Sequence, residues 1–376
     1  MRRWDIFCRV VDNYGDIGIC WRLARQLADR ADDDKIEVRL WVDELESFSQ
    51  ICPSIAPRLP SQVAGSIEVR HWSSDFPITD VADVVIEAFA CELPPSYIAA
   101  MAARVTPPVW INLEYLTAED WIEGCHLLPS PHPTSSLKKY FFFPGFTSQT
   151  GGLLRESDLM ESRAAFDAKA EAEFCNRIGI PARKENELRV SLFCYQNSAL
   201  PDFFQACAAG TMRVRILTCP GAATEQASQW LAENLSVGHP TQTGALTIQA
   251  IPFLLQCDYD RLLWSCDVNF VRGEDSFVRA QWAQRPFVWQ IYPQAEDAHL
   301  VKLQAFLARF LQGFGDPAAI LECWRAWNGC GRMSFAWPNY VAKLAEIRRY
   351  GEVWACQLDH AEDLANNLVR FVREQL

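Results

Sequence analysis

The fold is decided by residues 4–28, which read WDIFCRVVDNYGDIGICWRLARQLA. The first part, Trp4–Val11, is a short apolar run that ends in a cluster of turn-forming residues, a pattern typical of a buried β-strand. The second part, Cys20–Ala28, predicts a helix, because apolar side chains recur at helical spacing. These side chains are Ile19, Leu23 and Leu27. A strand, a tight turn and a helix in this order form the opening unit of an α/β sheet.

The same alternation continues along the chain. Four more segments of the first third have strand patterns, at 36–42, 66–71, 83–88 and 109–113. Five segments of the second half have them as well, at 188–193, 214–218, 246–251, 268–271 and 287–290. Helical patterns separate them, and this β-α-β rhythm predicts parallel sheets covered by helices. We therefore expect an α/β protein of two doubly wound domains with a helical tail. Ligands of such folds bind outside the carboxyl ends of the strands, here in the expected interdomain cleft.

Residues 128–152 interrupt the rhythm with several prolines, a glycine pair and the aromatic stretch Tyr140–Phe143. Because proline and glycine mark loops, we interpret this segment as an interdomain crossing or a surface excursion. A polar helix is expected after it, over about 158–178. The predicted domains are residues 1–150, completed by a C-terminal helix at 360–376, and residues 151–359.

Composition and charge exclude several classes of protein. The chain has 376 residues, 49% of them hydrophobic, and a formal net charge of −12. Nucleic acids and anionic membrane surfaces are therefore unfavourable partners, because both are bound through a basic surface. No apolar run has the length of a membrane span, and Asp5 precedes any signal-peptide core. We expect a cytoplasmic protein.

Cysteine spacing argues against both disulfides and metal. The 14 cysteines are scattered singly, mostly inside apolar strings, and no Cys-x-x-Cys pair occurs. No histidine pair has the spacing of zinc ligands either. Buried free thiols in a reducing compartment are the simplest interpretation, and we expect no structural metal.

The first candidate site is the turn Val11–Gly18, which follows the first strand. Asp12 and Asp16 are four residues apart across this turn, so both carboxylates can reach one substrate group. Turn chemistry and a favourable charge at the helix N-terminus explain the same residues equally well. The turn is no dinucleotide fingerprint, because the pattern G-x-G-x-x-G is absent.

The second candidate is the segment Arg272–Ser276, between a buried strand and the next helix. Arg272 and the backbone N–H groups of that helix start can cradle a phosphate. Asp275 or Ser276 can equally be a plain helix N-cap. Tyr292 follows the next strand in the same topological position, where a tyrosine beside a proline is often only a structural turn.

Aromatic side chains form the third candidate. Phe193 and Tyr195 share one face at a strand end, where aromatic rings can stack on a base, although core packing is the commoner role. Phe253 and Gln256 follow another strand, and they can line a base pocket or belong to the core and its edge.

Together, these segments resemble the elongation factor P arginine rhamnosyltransferases over essentially the whole chain. The resemblance is carried by four strings in this order: Asp12-Asn13-Tyr14-Gly15-Asp16-Ile17-Gly18, Asn112-Leu113-Glu114-Tyr115-Leu116, Phe142-Phe143-Pro144-Gly145-Phe146 and Arg272-Gly273-Glu274-Asp275-Ser276. It implies a GT-B fold of two facing Rossmann-like domains, with the protein acceptor at the N-terminal domain and the donor at the C-terminal domain.

The resemblance also implies the reaction. The donor would be dTDP-β-L-rhamnose and the acceptor an arginine of elongation factor P. Transfer would invert the anomeric centre without a metal or other cofactor. By this resemblance the catalytic residues are Asp12, Asp16 and Glu274. The donor-binding positions are Phe193, Tyr195, Phe253, Gln256, Arg272, Asp275, Ser276 and Tyr292.

Two other functions remain open on the sequence alone. One is a GT-B transferase with a different acceptor, such as lipopolysaccharide, but such enzymes usually carry basic or amphipathic membrane-facing patches, and none is obvious here. The other is a non-catalytic module that binds a nucleotide sugar or a protein. Such a module would not require both Asp12 and Asp16.

Overall fold

A computed structural model describes residues 2–30, 35–73, 76–77, 79–293 and 298–376. The chain divides into two compact units, residues 1–157 with 360–376 (unit 1) and residues 158–359 (unit 2). Each unit is a largely parallel β-sheet flanked by helices. Within the described ranges, no helix is both long and apolar enough to cross a membrane.

Unit 1 begins with alternating strands and helices, as the sequence predicts. Its elements are β1 (Arg2–Cys8), α1 (Gly15–Ala28), β2 (Ile36–Val42), α2 (Leu45–Ile51), β3 (Ser61–Ala64), β4 (Ile67–His71), β5 (Val84–Ala88), α3 (Pro95–Ala103), β6 (Val109–Leu113), a 3₁₀ turn (Asp120–Gly124), β7 (Pro129–Pro131) and β8 (Lys138–Phe142). The strands lie in the order β3-β4-β2-β1-β5-β6-β8-β7. All neighbours are parallel except the pairs β3–β4 and β7–β8.

The central strands of unit 1 are buried on both faces, which is why they read as continuous apolar runs. In β1, Ile6 belongs to a core on one face of the sheet. The next residue, Phe7, belongs to the core on the other face, with Trp41 and Trp110. Successive side chains of a strand point to opposite faces, so a sheet covered on both sides needs apolar residues at every position.

The structure contradicts the interpretation of residues 128–152 as a crossing or surface excursion. β8 pairs in parallel with β6, and β7 pairs with β8, so this segment extends the unit 1 sheet. The aromatic stretch is a half-buried strand: Tyr140 packs edge-on against Phe371 with ring centroids 5.1 Å apart. Two of the prolines, Pro129 and Pro131, lie in the short edge strand β7, where proline is tolerated, and Pro133 and Pro144 lie outside the strands.

Unit 2 repeats the architecture. Its elements are α4 (Leu159–Ala164), α5 (Ala168–Arg177), β9 (Glu187–Leu192), α6 (Leu200–Ala209), β10 (Arg213–Thr218), α7 (Ala222–Leu231), β11 (Thr241–Thr243), β12 (Leu246–Ala250), α8 (Gln256–Ser265), β13 (Val268–Arg272), α9 (Asp275–Trp282), β14 (Phe287–Gln290), α10 (Ala298–Phe310), α11 (Ala318–Trp327), α12 (Met333–Ala342) and α13 (Leu344–Asp359). The strands lie in the order β11-β12-β10-β9-β13-β14, and only β11 is antiparallel to its neighbour.

The expectation of one helix over 158–178 was wrong. The chain forms α4 and α5 instead, because Asp167 interrupts the helical backbone and caps the second helix. Its carboxylate accepts a hydrogen bond from the Ala170 N–H at 2.8 Å. A capped start of this kind fixes a helix boundary.

The chain returns to unit 1 through α14 (Leu364–Gln375). Leu368 and Phe371 lie on its apolar face and join the unit 1 core. The Leu364 N–H donates to the Leu153 carbonyl at 2.9 Å. The approach is close enough that a Cβ at Gly152, whose φ is +78°, would lie 2.4 Å from the Glu362 carbonyl oxygen. The last helix is therefore an integral part of unit 1.

Candidate functional site

The first candidate site lies at the topological switch point of unit 1. From β1 the sheet grows in one direction through β2 and in the other through β5, and ligands of open α/β sheets bind at such reversals. The predicted turn begins three residues after β1 and runs into α1. Asp12 and Asp16, which the sequence selects, are therefore at the carboxyl end of the central strand.

Asp16 is the second residue of α1 and is only 2% exposed. Its Oδ2 accepts hydrogen bonds from the backbone N–H groups of Val11 and Asp12, both at 2.8 Å. These bonds satisfy donors of the turn rather than of the helix. The carboxylate therefore fixes the backbone of the turn, which confirms that turn chemistry is one part of its role.

Asp12 is half-buried, and its side chain lies over Gly15. A Cβ at Gly15 would be 2.7 Å from Asp12 Oδ2, which no real Cβ contact tolerates. The Asp12 carbonyl also accepts the Gly15 N–H at 2.6 Å. Glycine at this position thus gives the Asp12 carboxylate the space that it occupies beside the start of α1.

Burial raises the pKa of Asp16 above its usual range, and the negative charge of Asp12 raises it further. The N–H bonds from Asp12 and Val11 and a hydrogen bond from Tyr115 oppose the shift by favouring the ionised form. A carboxylate with a raised pKa is a stronger base than an exposed one. The electrostatics of the turn therefore suit proton abstraction.

Sequence reasoning assigned no role to two aromatic residues beside this carboxylate. The Tyr115 hydroxyl donates to Asp16 Oδ1 at 3.2 Å. The Tyr115 ring stacks on Phe89 with centroids 4.4 Å apart and an interplanar angle of 15°. Tyr115 follows β6 and Phe89 follows β5, so both belong to the same sheet edge. The string Asn112–Leu116 was the available signal.

The second candidate site lies at the corresponding reversal in unit 2, between β9 and β13. Arg272 ends β13, and its guanidinium carbon lies 4.6 Å from the Phe193 ring centroid and 4.3 Å from that of Tyr195. Tyr292, after β14, meets Tyr195 edge-on with centroids 5.3 Å apart. The structure therefore brings together four predicted donor-binding residues, with a cation held over two aromatic faces.

The turn Arg272–Ser276 is closed by its own side chain. The Ser276 hydroxyl accepts from the Arg272 N–H at 3.1 Å and donates to the Arg272 carbonyl. Ser276 is 5% exposed. The N-cap of α9 is Glu274, whose side chain makes no capping bond, so neither Asp275 nor Ser276 is the plain N-cap that the sequence left open.

Two other predicted donor-binding residues, Phe253 and Gln256, also lie at the carboxyl ends of the strands of the unit 2 sheet. Phe253 follows β12 and is 38% exposed. Gln256 is the first residue of α8 and is half-buried. In the strand order, β12 is separated from β9 by β10, so these two residues are farther along the edge than Arg272.

Among the residues that the structure describes, no three His, Cys, Asp or Glu side chains are grouped in a way that could hold a metal ion. All 14 cysteines, each among the described residues, are free thiols. For Cys194, burial raises the pKa well above its ordinary range, which keeps this thiol protonated and unreactive.

Comparison with solved structures first identifies the class. A glycosyltransferase from Rickettsia africae aligns over 99% of this chain and 98% of its own with a TM-score of 0.54 at 10% identity, which shows the fold alone. A structure described as the basis for EarP-mediated arginine glycosylation of translation elongation factor EF-P aligns over 100% of both chains, with a TM-score of 0.71 and 35% identity. The predicted GT-B fold is confirmed, and the protein is a glycosyltransferase.

The family model for the elongation factor P (EF-P) rhamnosyltransferase EarP matches residues 4–373. A protein-arginine rhamnosyltransferase of Pseudomonas putida is 49% identical over 99% of both chains. One of Pseudomonas aeruginosa is 48% identical over 100% of both. The chain belongs to the EarP family of EF-P rhamnosyltransferases, as the sequence resemblance indicated.

Proposed function

We propose that this protein transfers L-rhamnose from dTDP-β-L-rhamnose to an arginine of translation elongation factor P, with inversion and without a metal, in the cytoplasm. The observation that carries the proposal is the full-length similarity, at 49% identity, to a protein-arginine rhamnosyltransferase. The chemistry of the two sites supports it. The turn of unit 1 carries the carboxylates of Asp12 and Asp16, which suit a cationic guanidinium, and unit 2 carries the Arg272 cation, which suits an anionic diphosphate.

The acceptor is assigned to the turn of unit 1. An arginine guanidinium is protonated at cellular pH and is a poor nucleophile. Asp12 and Asp16 can hold it as a fork and direct one nitrogen at the anomeric carbon. Pairing alone stabilises the charged ground state, so the gain must come in the transition state. As the N–C1 bond forms, the nitrogen becomes acidic, and Asp16 accepts its proton at Oδ1.

The donor is assigned to the edge of unit 2. While the C1–O bond to the diphosphate breaks, negative charge develops on the leaving group. Arg272 and the first N–H groups of α9 stabilise that charge, which replaces a metal ion. Phe193, Tyr195 and Tyr292 supply ring faces, with Phe253 and Gln256 further along the edge.

Three residues near Arg272 need separate roles. Ser276 acts through the turn, because its hydroxyl is bonded to the Arg272 backbone. Glu274 and Asp275 are anions near the position of a diphosphate, an arrangement that costs free energy unless they bind hydroxyl groups. We assign them to the hydroxyls of the donor sugar.

The test is the intact mass of elongation factor P after incubation with this protein and dTDP-β-L-rhamnose. The expected result is a gain of one deoxyhexose, located on an arginine by fragmentation. Uridine and guanosine diphosphate sugars serve as donor controls, and elongation factor P with that arginine replaced by lysine serves as the acceptor control. An unchanged mass with the dTDP donor would contradict the proposal.

Metal independence is a separate prediction. Because Arg272 and a helix N-terminus can neutralise the diphosphate, the rate should be unchanged in excess EDTA. The measurement is the initial rate before and after chelation. Activity that falls on chelation and returns with magnesium would assign charge neutralisation to a metal instead.

A further inference from the structure

The two oxygens of the Asp16 carboxylate accept hydrogen bonds from two different parts of unit 1, the turn after β1 and the residues after β6. Oδ2 accepts the N–H groups of Val11 and Asp12, both at 2.8 Å. Oδ1 accepts the Tyr115 hydroxyl at 3.2 Å. With hydrogen bonds on both oxygens, the plane of the carboxylate is fixed. Each oxygen has two lone pairs, so Oδ1 keeps one for a further donor.

The Tyr115 ring is held by a neighbour in an unusual conformation. Phe89 stacks on it at 4.4 Å, although Phe89 itself has φ +57°. Two residues of the same short loop, Ala90 and Glu92, also have positive φ, at 53° and 57°. Non-glycine residues rarely adopt this region, and such strain persists only where surrounding contacts enforce it.

Those contacts come from the sheet. Asn112 Oδ1 accepts the Ala90 N–H at 3.1 Å, and Glu87 Oε1 accepts the Glu92 N–H at 3.1 Å. The Phe89 N–H donates to the Leu113 carbonyl at 2.7 Å. Glu87 is the second-to-last residue of β5, and Asn112 and Leu113 are the last two residues of β6, so the rigid sheet holds the loop in its strained form. The strain places the Phe89 ring against Tyr115.

We propose that Tyr115 is a positioning residue of the transfer reaction. Its hydroxyl, aimed by the Phe89 stack, fixes the Asp16 carboxylate so that the second lone pair of Oδ1 receives the proton released by the attacking nitrogen. This inference rests on the proposed function, because it needs Asp16 to act as the base. It goes beyond that proposal because it states that the Tyr115 hydroxyl orients the Asp16 carboxylate.

Several ionisable groups face Asp16, and they set the pH dependence of the base. Asp12 lies on the same turn, Tyr115 follows β6, and Cys8 ends β1. Burial and the Asp12 charge raise the pKa of Asp16, whereas the Tyr115 hydrogen bond lowers it. Loss of that hydroxyl therefore raises the pKa of the base. Because the base must be ionised, the acid limb of the rate profile then moves to higher pH.

The decisive variant is Tyr115→Phe, which keeps the ring and its stack and removes one oxygen. We expect kcat to fall by about 10- to 100-fold, the range of a hydrogen bond to a charged group. The KM for the donor should be unchanged, and the acid limb of kcat/KM should move to higher pH. Wild-type kcat together with an unmoved acid limb would overturn the proposal.

A matched control exists on the opposite face of the same sheet. The Tyr97 hydroxyl donates to Asp5, a buried carboxylate whose pKa burial also raises. Tyr97→Phe therefore removes a tyrosine–aspartate bond of the same kind away from the turn. We expect it to lower the melting temperature and to leave kcat and the acid limb unchanged. If Tyr97→Phe moved the acid limb as Tyr115→Phe does, a general loss of rigidity would replace the proposal.

Phe89→Leu tests the stack separately. It keeps the Tyr115 hydroxyl but frees the ring, so kcat should fall less than in Tyr115→Phe, with the acid limb moving in the same direction. A large loss in Phe89→Leu with wild-type kinetics in Tyr115→Phe would assign the role to the ring stack and contradict the proposal. Failure of the proposed function is distinguishable, since the wild-type protein would then add no deoxyhexose at all.

Discussion

The two turns at the switch points are closed by the same kind of hydrogen bond, but they carry side chains of opposite charge. In unit 1, the second residue of α1, Asp16, binds the N–H of the residue four positions earlier, Asp12. In unit 2, the second residue of α9, Ser276, binds the N–H of the residue four positions earlier, Arg272. Each bond closes the loop between a central strand and its helix.

The difference lies in what each turn presents. In unit 1 the closing group is a buried carboxylate, and the residue that it holds is another carboxylate. In unit 2 the closing group is a neutral hydroxyl, and the residue that it holds is an arginine stacked on Phe193 and Tyr195. The same backbone design therefore carries negatively charged side chains in one unit and a positively charged side chain in the other, and under the proposed function these suit a cationic and an anionic ligand.

The largest effect is expected where the closing group also reacts. Asp16→Asn keeps one side-chain oxygen, which can still accept the N–H groups that close the turn, and replaces the other oxygen by an amide nitrogen, which removes the base. Turnover should fall by about 10²- to 10⁴-fold. Melting temperature and calorimetric dTDP-rhamnose affinity should stay close to wild type. A near wild-type rate would remove Asp16 as the base and would assign that role to Asp12.

The next effect concerns the cation that the unit 2 turn holds. Arg272→Lys keeps the charge but loses the planar group that lies over two rings, and such exchanges are not conservative at stacked sites. The donor KM should rise by about tenfold or more. Arg332→Lys is the matched control, because Arg332 lies 5.3 Å from the Phe335 ring centroid within the same unit. Equal behaviour of the two variants would show that Arg272 has no special role.

A smaller effect is expected where the closing group only closes the turn. Ser276→Ala removes the hydroxyl that holds the Arg272 backbone, which should cost about 1 kcal/mol of stability and raise the donor KM by a few-fold. The control is Ser162→Ala on α4, whose hydroxyl donates to Asp158 at 3.1 Å on the surface. Denaturant unfolding and donor kinetics measure both. A loss as large as that of Asp16→Asn would mean that Ser276 contacts the substrate.

The smallest effect is the pH dependence of stability. Burial raises the pKa of Asp16 from its ordinary value of 3.8, so the folded state binds this proton more tightly than the unfolded state. The stability that the proton contributes is complete below the unfolded pKa and is lost as pH rises through the folded pKa. Asp16→Asn should therefore gain stability relative to wild type as pH rises from 3.8. A constant difference between the two unfolding free energies would contradict the raised pKa.

Much of the fold could be predicted because apolar periodicity is a local signal. The strand predicted at 109–113 is β6 with the same bounds, and the strand predicted at 36–42 is β2. Residues 128–152 were misread because proline and glycine suggest loops wherever they occur. Whether such a segment joins a sheet depends on a partner strand far away in the sequence, here β6.

The candidate sites could be predicted in position but not in mechanism. Strand ends and turn residues located Asp12, Asp16 and Arg272. The hydrogen bonds of Ser276 and Asp16 form only in the folded structure. The spacing of residues along the sequence therefore does not predict them. Tyr115 illustrates this limit, because its bond to Asp16 joins residues that are 99 positions apart.

The return of the chain through α14 has a consequence for synthesis. Residues 1–157 of unit 1 leave the ribosome before unit 2, yet the core of unit 1 includes side chains of residues 364–372. Unit 2, residues 158–359, is continuous and emerges complete before them. Domains usually fold in the order in which they are made. Here unit 1 starts before unit 2 but is completed after it, so part of its apolar surface stays uncovered until α14 has been made.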